Sequence, residues 1–159
     1  MRVKGFTMTA YELCQRHVVT VRRHEELTTA AWIMRERNVG CLVVVEAAGA
    51  IGGERPIGLL TDRDIVTTVI ARNLDPHSVL VADVMRRHPV TVWANASIED
   101  TLQRMRGSGA RRVPVVDDRG RLVGIIAVDD IFEHLAQRQA PPPTPLRREA
   151  RTKMGSDPI

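Results

Sequence analysis

Two short phrases in this chain are copies of one another. "GLLTDRDIV" at 58–66 and "GIIAVDDIF" at 124–132 both read Gly, two aliphatics, a variable tripeptide, Asp, then Ile. The copying runs well beyond them. An offset of 71 lays "CQRHVVTV" (14–21) over "MRRHPVTV" (85–92), Met34-Arg35 over Met105-Arg106, and "VGCLVVVE" (39–46) over "ARRVPVVD" (110–117). The offset then falls to 66, where Gly58 meets Gly124, so the first copy carries five extra residues in its turn "AAGAIGGERP". A Gly-rich hairpin tip is where such an insertion is tolerated. Half of a 159-residue chain buries too little apolar surface alone. The two copies are therefore expected to share a core about a pseudo-twofold axis.

Each copy has the same grammar. A short helical lead-in comes first; Thr9 and Glu12 have capping-box spacing, and the second copy reads "VADVM". A brief strand follows at Val19–Val21 or Val90–Val92. Next comes a helix with apolar positions at helical spacing: Leu27, Ala30, Ala31 and Met34, or Ile98, Thr101, Leu102 and Met105. Ser97, three residues before Asp100, starts the second of these. Two β-branched runs then form a hairpin, Leu42–Val45 with Ile57–Leu60 and Val113–Val116 with Leu122–Ile126. A final helix opens at Thr61 or Val128 and runs to about Arg72 or Gln137. The expected units are 8–72 and 80–138, joined by a linker at 73–79. The tail 139–159, rich in Pro and Arg, is expected to be disordered.

Composition removes several functions. Aromatics are 3% of the chain against 43% hydrophobic residues, so the interior must be Val, Ile, Leu and Ala. No run approaches the roughly 18 apolar residues of a membrane span, and "MRVKGFTMTAYEL" lacks the apolar region of a secretory signal, so a cytoplasmic protein is expected. Cys14 and Cys41 give no disulfide framework, and Cys14-x-x-His17 is half a metal site with no second pair, so no metal is expected. Of the formal charge of +4, half lies in the tail, where four cations face two carboxylates. Basic residues do not interleave with aromatics as on a base-stacking surface, which argues against nucleic acid as the main partner. No nucleophile–base set is evident, so no catalytic residue and no enzyme is expected.

The duplicated pattern, with "GLLTDRDI" and "GIIAVDDI" closing the copies and "RRVPVVD" opening a hairpin, resembles paired cystathionine-β-synthase (CBS) domains. The resemblance covers roughly 8–137 and implies an α+β fold. Two β-α-β-β-α repeats would be related by a pseudo-twofold axis, with their sheets packed against each other. It further implies a regulatory module that binds adenine-containing ligands (AMP, ADP, ATP, NAD-like molecules or S-adenosylmethionine) in two clefts between the repeats. No cofactor is obligatory for such a module. Members often dimerise into a disc of four CBS repeats, and a protein partner would read the ligand state.

The resemblance places Asp64 on ribose hydroxyls and Thr61 on phosphate; an ionised carboxylate only accepts hydrogen bonds, which suits a cis-diol. Thr61 and Asp64 also suit plain helix capping, and both readings stand. Arg111 and Arg112 would face the Asp64 cleft and grip phosphate, or else be a solvated strand start. Met85, Val90 and Ala110 would wall that first cleft. In the second, Asp130 would be joined by Cys14, Val19, Val39 and Gly40, all of which also suit a core. Copy two offers Ala127 in place of the Thr61 hydroxyl, and Asp129 doubles the negative charge there. Two unequal sites are therefore expected, with Asp64 the better phosphate binder. The alternative is a structural interaction module with one or both clefts vestigial.

Overall fold

The computed structural model describes residues 8–139, and the expectation for the tail lies outside them except for Gln139. In chain order the elements are α1 (Ala10–Leu13), β1 (Thr20–Arg22), α2 (Leu27–Arg37), β2 (Cys41–Ala47) and β3 (Glu54–Thr61). Then come α3 (Asp62–Ile65), which continues as a π turn over Val66–Ile70, α4 (Val81–Val84), β4 (Arg86–Arg87) and β5 (Val92–Trp93). The last are α5 (Ile98–Ser108), β6 (Arg112–Val116), β7 (Leu122–Ala127) and α6 (Val128–Gln139). The architecture is α+β, with one sheet ordered β1-β2-β3-β4 and another β5-β6-β7, meeting along β3 and β7.

Local signals start and stop these elements at equivalent places. Thr9 and Glu12 close a capping box on α1, and the Ser97 hydroxyl accepts from the Asp100 N–H at 3.0 Å. Helices α2 and α5 each end in a left-handed residue, Asn38 (φ 52°) and Gly109 (φ 67°). The next N–H in each case, Val39 or Ala110, reaches back to the Met34 or Met105 carbonyl. Strands β2 and β6 are buried on consecutive residues, Leu42–Val45 and Val113–Val116. An alternating strand can bury both parities only if both faces are covered. Leu42 and Val44 face α2 and its neighbours, and Val113 and Val115 face α5 and α6; Val43 and Val45 point the other way.

The helical lead-ins are exchanged between the copies. α1 packs on the second copy: Ala10 N donates to Ala96 O (2.8 Å), Tyr11 N to Ala94 O (3.0 Å), and Gln15 pairs with Ile125. α4 packs on the first: Leu27 N donates to Val79 O, Val81 N to Glu25 O (both 2.9 Å), and β4 pairs antiparallel with β3. Each lead-in thus closes the other copy's core, with Ala10 and Cys14 in one and Val81, Val84 and Met85 in the other. The sequence grouped each lead-in with the repeat that follows it, because an alignment orders segments and says nothing of which sheet they join.

This exchange explains the glycine that opens each copied phrase. A Cβ on Gly58 would lie 2.8 Å from Met85 Sδ and 3.1 Å from Arg86 O; on Gly124 it would overlap Cys14 Sγ and stand 3.1 Å from Gln15 O. The incoming segment can approach only a residue with no side chain. Gly124→Ala is expected to destabilise the fold by about 1–3 kcal/mol through overpacking. Thermal and denaturant melts of Gly124→Ala against Gly124→Ala/Cys14→Ala should show partial recovery in the double variant.

Candidate functional site

The copied phrase spans the end of a strand and the start of a helix in both halves, β3 into α3 and β7 into α6. In the first half Thr61 and Asp64 form a reciprocal capping box: the Thr61 hydroxyl accepts from the Asp64 N–H (3.2 Å). Asp64 Oδ2 accepts from Thr61 N (3.1 Å) and Thr61 Oγ1 (2.7 Å). Asp64 Oδ1 accepts from Arg86 Nε (3.0 Å) and Nη2 (2.8 Å). A carboxylate offers about four acceptor positions, and all four are taken by the chain itself. Burial works to raise the Asp64 carboxyl, but the bonds from Thr61 and Arg86 outweigh it and hold the group below the usual Asp value.

The second half is built differently. Asp130 Oδ2 accepts from Ala127 N at 3.3 Å, and the carboxylate, half-buried, faces a cavity of about 310 Å³. Its walls come from both copies: Val19, Val39, Gly40 and Cys41 from the first, and Ile125, Ala127 and Asp130 from the second. Gln15, His17, Arg112 and Asp129 also line it. Asp62 lies close by, its Oδ2 3.0 Å from where a Cβ on Gly40 would be. The lining thus holds two carboxylates and one guanidinium, with a third carboxylate and the Arg111 guanidinium, paired with Asp129, adjoining.

The remaining expected residues divide. Val19, Val39 and Gly40 line the Asp130 cavity. Cys14 lies beneath Gly124 in the core, its thiol donating to the Tyr11 carbonyl (3.4 Å) and pushed up in pKa by burial. Met85 is 9% exposed and packs in the first core; Val90 and Ala110 pack against the second.

The two arginines require a correction. Arg112 lines the Asp130 cavity, and Arg111 pairs with Asp129 at 3.2 Å, both side chains more than 70% exposed. Arg112 lies opposite Ala127 and Val128 N donates to Arg111 O, just as Cys41 lies opposite Thr61 and Asp62 N donates to Gly40 O in the first copy. The cation on Asp64 is Arg86, which the sequence reading passed over. Its signal was present, since the offset of 71 sets Arg86 over Gln15, a charged residue over a neutral one. Among the described residues no three His, Cys, Asp or Glu side chains group as metal ligands, and no helix is long and apolar enough to cross a membrane.

The CBS domain family model matches at residues 10–71 and again at 81–137. Hypoxic response protein 1 of Mycobacterium tuberculosis is 40% identical over 129 residues, 81% of this chain and 86% of that protein. An uncharacterized protein of Methanopyrus kandleri is 33% identical over 77% of this chain, which spans 60% of that relative's length. The CBS domain pair of protein MJ0100, solved in complex with 5-methylthioadenosine and S-adenosyl-L-methionine, shares the fold at TM-score 0.71 and 22% identity, over 84% of this chain and 99% of that one.

The depressed Asp64 carboxyl fixes a sign. A group whose pKa falls on folding contributes stability that is present above its ordinary value, 3.8, and is lost as pH drops through the lower folded value. Asp64→Asn is expected to cost about 1–2 kcal/mol at neutral pH, loss of a charged hydrogen-bond set discounted for the exposed Arg86. The gap to wild type should narrow on acidification below about pH 4, where Asp protonates. Melting curves of both proteins from pH 7 down to pH 3 measure it.

Proposed function

The chain belongs to the CBS-domain family, and from that premise we propose that it is a regulatory module whose working site is the Asp130 cavity, taking an adenosine-type ligand. The observation that carries this is a half-buried carboxylate with a single backbone hydrogen bond, facing a cavity walled by both repeats. Asp130 accepts from the ribose cis-diol, and Val19, Val39 and the Cys41 edge sandwich the base. A volume of about 310 Å³ is at the small end for ligand pockets and suits a nucleoside better than a dinucleotide.

Charge narrows the ligand class. Asp129 and Asp130 with Asp62 nearby outnumber the two guanidiniums there, Arg112 in the lining and Arg111 already engaged by Asp129, and so disfavour a polyphosphate. The ligand is therefore a neutral or cationic adenosine derivative, adenosine, a methylthioadenosine or S-adenosylmethionine type, rather than ATP. The ligands bound to the MJ0100 pair agree with that chemistry. Because the walls come from both repeats, a bound ligand favours one relative packing of the halves and so alters the surface a partner meets. The reading of the clefts as vestigial has an observation in its favour at Asp64 alone, where Arg86 occupies the carboxylate.

Titration calorimetry should give adenosine or methylthioadenosine binding at least tenfold tighter than ATP. Asp130→Ala should weaken the nucleoside by about 10–150-fold, the cost of losing one charged hydrogen bond of about 1.5–3 kcal/mol. Binding of none of these ligands at millimolar concentration, or unchanged binding by Asp130→Ala, contradicts the reading.

A further inference from the structure

Away from both copied carboxylates, the two copies wall a second cavity of about 570 Å³. Arg23, Glu46 and Arg55 line it from the first copy, and Arg87, His88 and Trp93 from the lead-in and first strand of the second. It shares no lining residue with the Asp130 cavity, and neither Asp64 nor Arg86 belongs to it. Charge within it is one-sided. Glu46 is the single carboxylate of the lining, and Arg55 already holds it through Nε (3.3 Å) and Nη2 (2.9 Å). Among the described residues no carboxylate pairs with Arg23 or Arg87. Arg87 Nη2 donates instead to Ala82 O (3.1 Å), which tethers that guanidinium at the cavity.

Trp93 is 50% exposed, one of two tryptophans in a chain with few aromatics. It also lines two further hollows of about 500 and 600 Å³, so three concavities meet at this side chain. Together they make a groove longer than one small ligand fills. Offset 71 sets Trp93 over Arg22, which is spent on Glu54 (2.6 Å), so the first copy has no counterpart of this aromatic. His88 enters β5 in left-handed backbone (φ 53°), which its copy His17 does not adopt. Strand β5 is an edge of its sheet, but Ala94 O and Ala96 O, just past Trp93, accept from Tyr11 N and Ala10 N. A visitor is therefore held by side chains rather than added as a strand.

We propose that this groove docks an acidic segment of a partner protein, with an apolar residue on Trp93 and carboxylates on Arg23 and Arg87. A guanidinium grips a carboxylate bidentately, and Trp and Arg are the side chains that most often carry the energy of a protein interface. Single-stranded nucleic acid fits less well. Base stacking runs over successive aromatics, and Glu46 and Asp117 would meet its phosphates. The inference goes beyond the proposed function and stands without it, since the groove and the Asp130 cavity have no residue in common.

The test is fluorescence anisotropy of a labelled peptide, EEDLLDEE, on the full chain at low salt, beside KKSLLSKK and an oligothymidylate of the same length. The acidic peptide should bind about tenfold tighter than either, or better. Arg23→Glu and Trp93→Ala should each weaken it about tenfold, whereas Arg35→Glu, the same charge change at an exposed position of α2, should stay within about twofold. Asp130→Ala should bind the peptide as the wild type does. On a Trp32→Phe background, where Trp93 is the sole indole, its emission should shift on binding, a readout that serves if Trp93→Ala does not melt cooperatively. No acidic-peptide binding at millimolar concentration, equal binding of the basic peptide, or an affinity unmoved by Arg23→Glu overturns the inference. An oligothymidylate that binds tighter than the peptide overturns it in favour of nucleic acid.

Discussion

Each sheet in this protein is finished by a segment from the other half of the chain, and the rest of the structure depends on that close approach. At Gly58 and Gly124 the sheet has no side chain to hold the visitor off, so Met85-Arg86 and Cys14-Gln15 pack backbone to backbone against it. The consequence is energetic first: α1 and α4 fill cores that would otherwise be open, which is how two units of about half a small domain each share one fold. The consequence is also chemical. The residue after each visiting Met or Cys is carried to the foot of the copied phrase, beside Asp64 or Asp130.

From there, the asymmetry between the halves is a matter of one position more than of the motif itself. Thr61 and Ala127 differ by a hydroxyl, but the larger difference is what stands at the strand partner, a guanidinium or an amide. Arg86 completes the hydrogen bonding of a carboxylate only 7% exposed, removing an open binding group and supplying stability that depends on the ionised form. Asp130 keeps one backbone bond and a cavity. The first cleft is tied closed, and the second is left receptive.

Much of this was legible in the sequence. β-branched runs, helical spacing and the capping signals at Thr9 and Ser97 located the strands and long helices, because those features act through neighbouring residues. Repetition with a constant offset disclosed the pseudo-twofold relation, and Val19, Val39 and Gly40, which the family resemblance set beside Asp130, line a cavity with it. Two things were not legible. Segment exchange leaves no mark in an alignment, since α1 and α4 keep the same order whichever sheet they join. The other is where the arginine side chains go: Arg111 reaches Asp129 and Arg112 lines the Asp130 cavity, which spacing alone does not fix. For Arg86 the offset marks the position, a charge over a neutral residue, but not the partner, which is 22 residues away and across a strand pairing that only the exchange creates.

The most direct measurement is a crystal structure of the full chain grown with 5-methylthioadenosine. The account predicts one nucleoside per chain, its ribose on Asp130 and its base between Val19 and Val39, with the Arg86–Asp64 pair intact. A nucleoside seated on Asp64 with Arg86 displaced and the Asp130 cavity empty would contradict it.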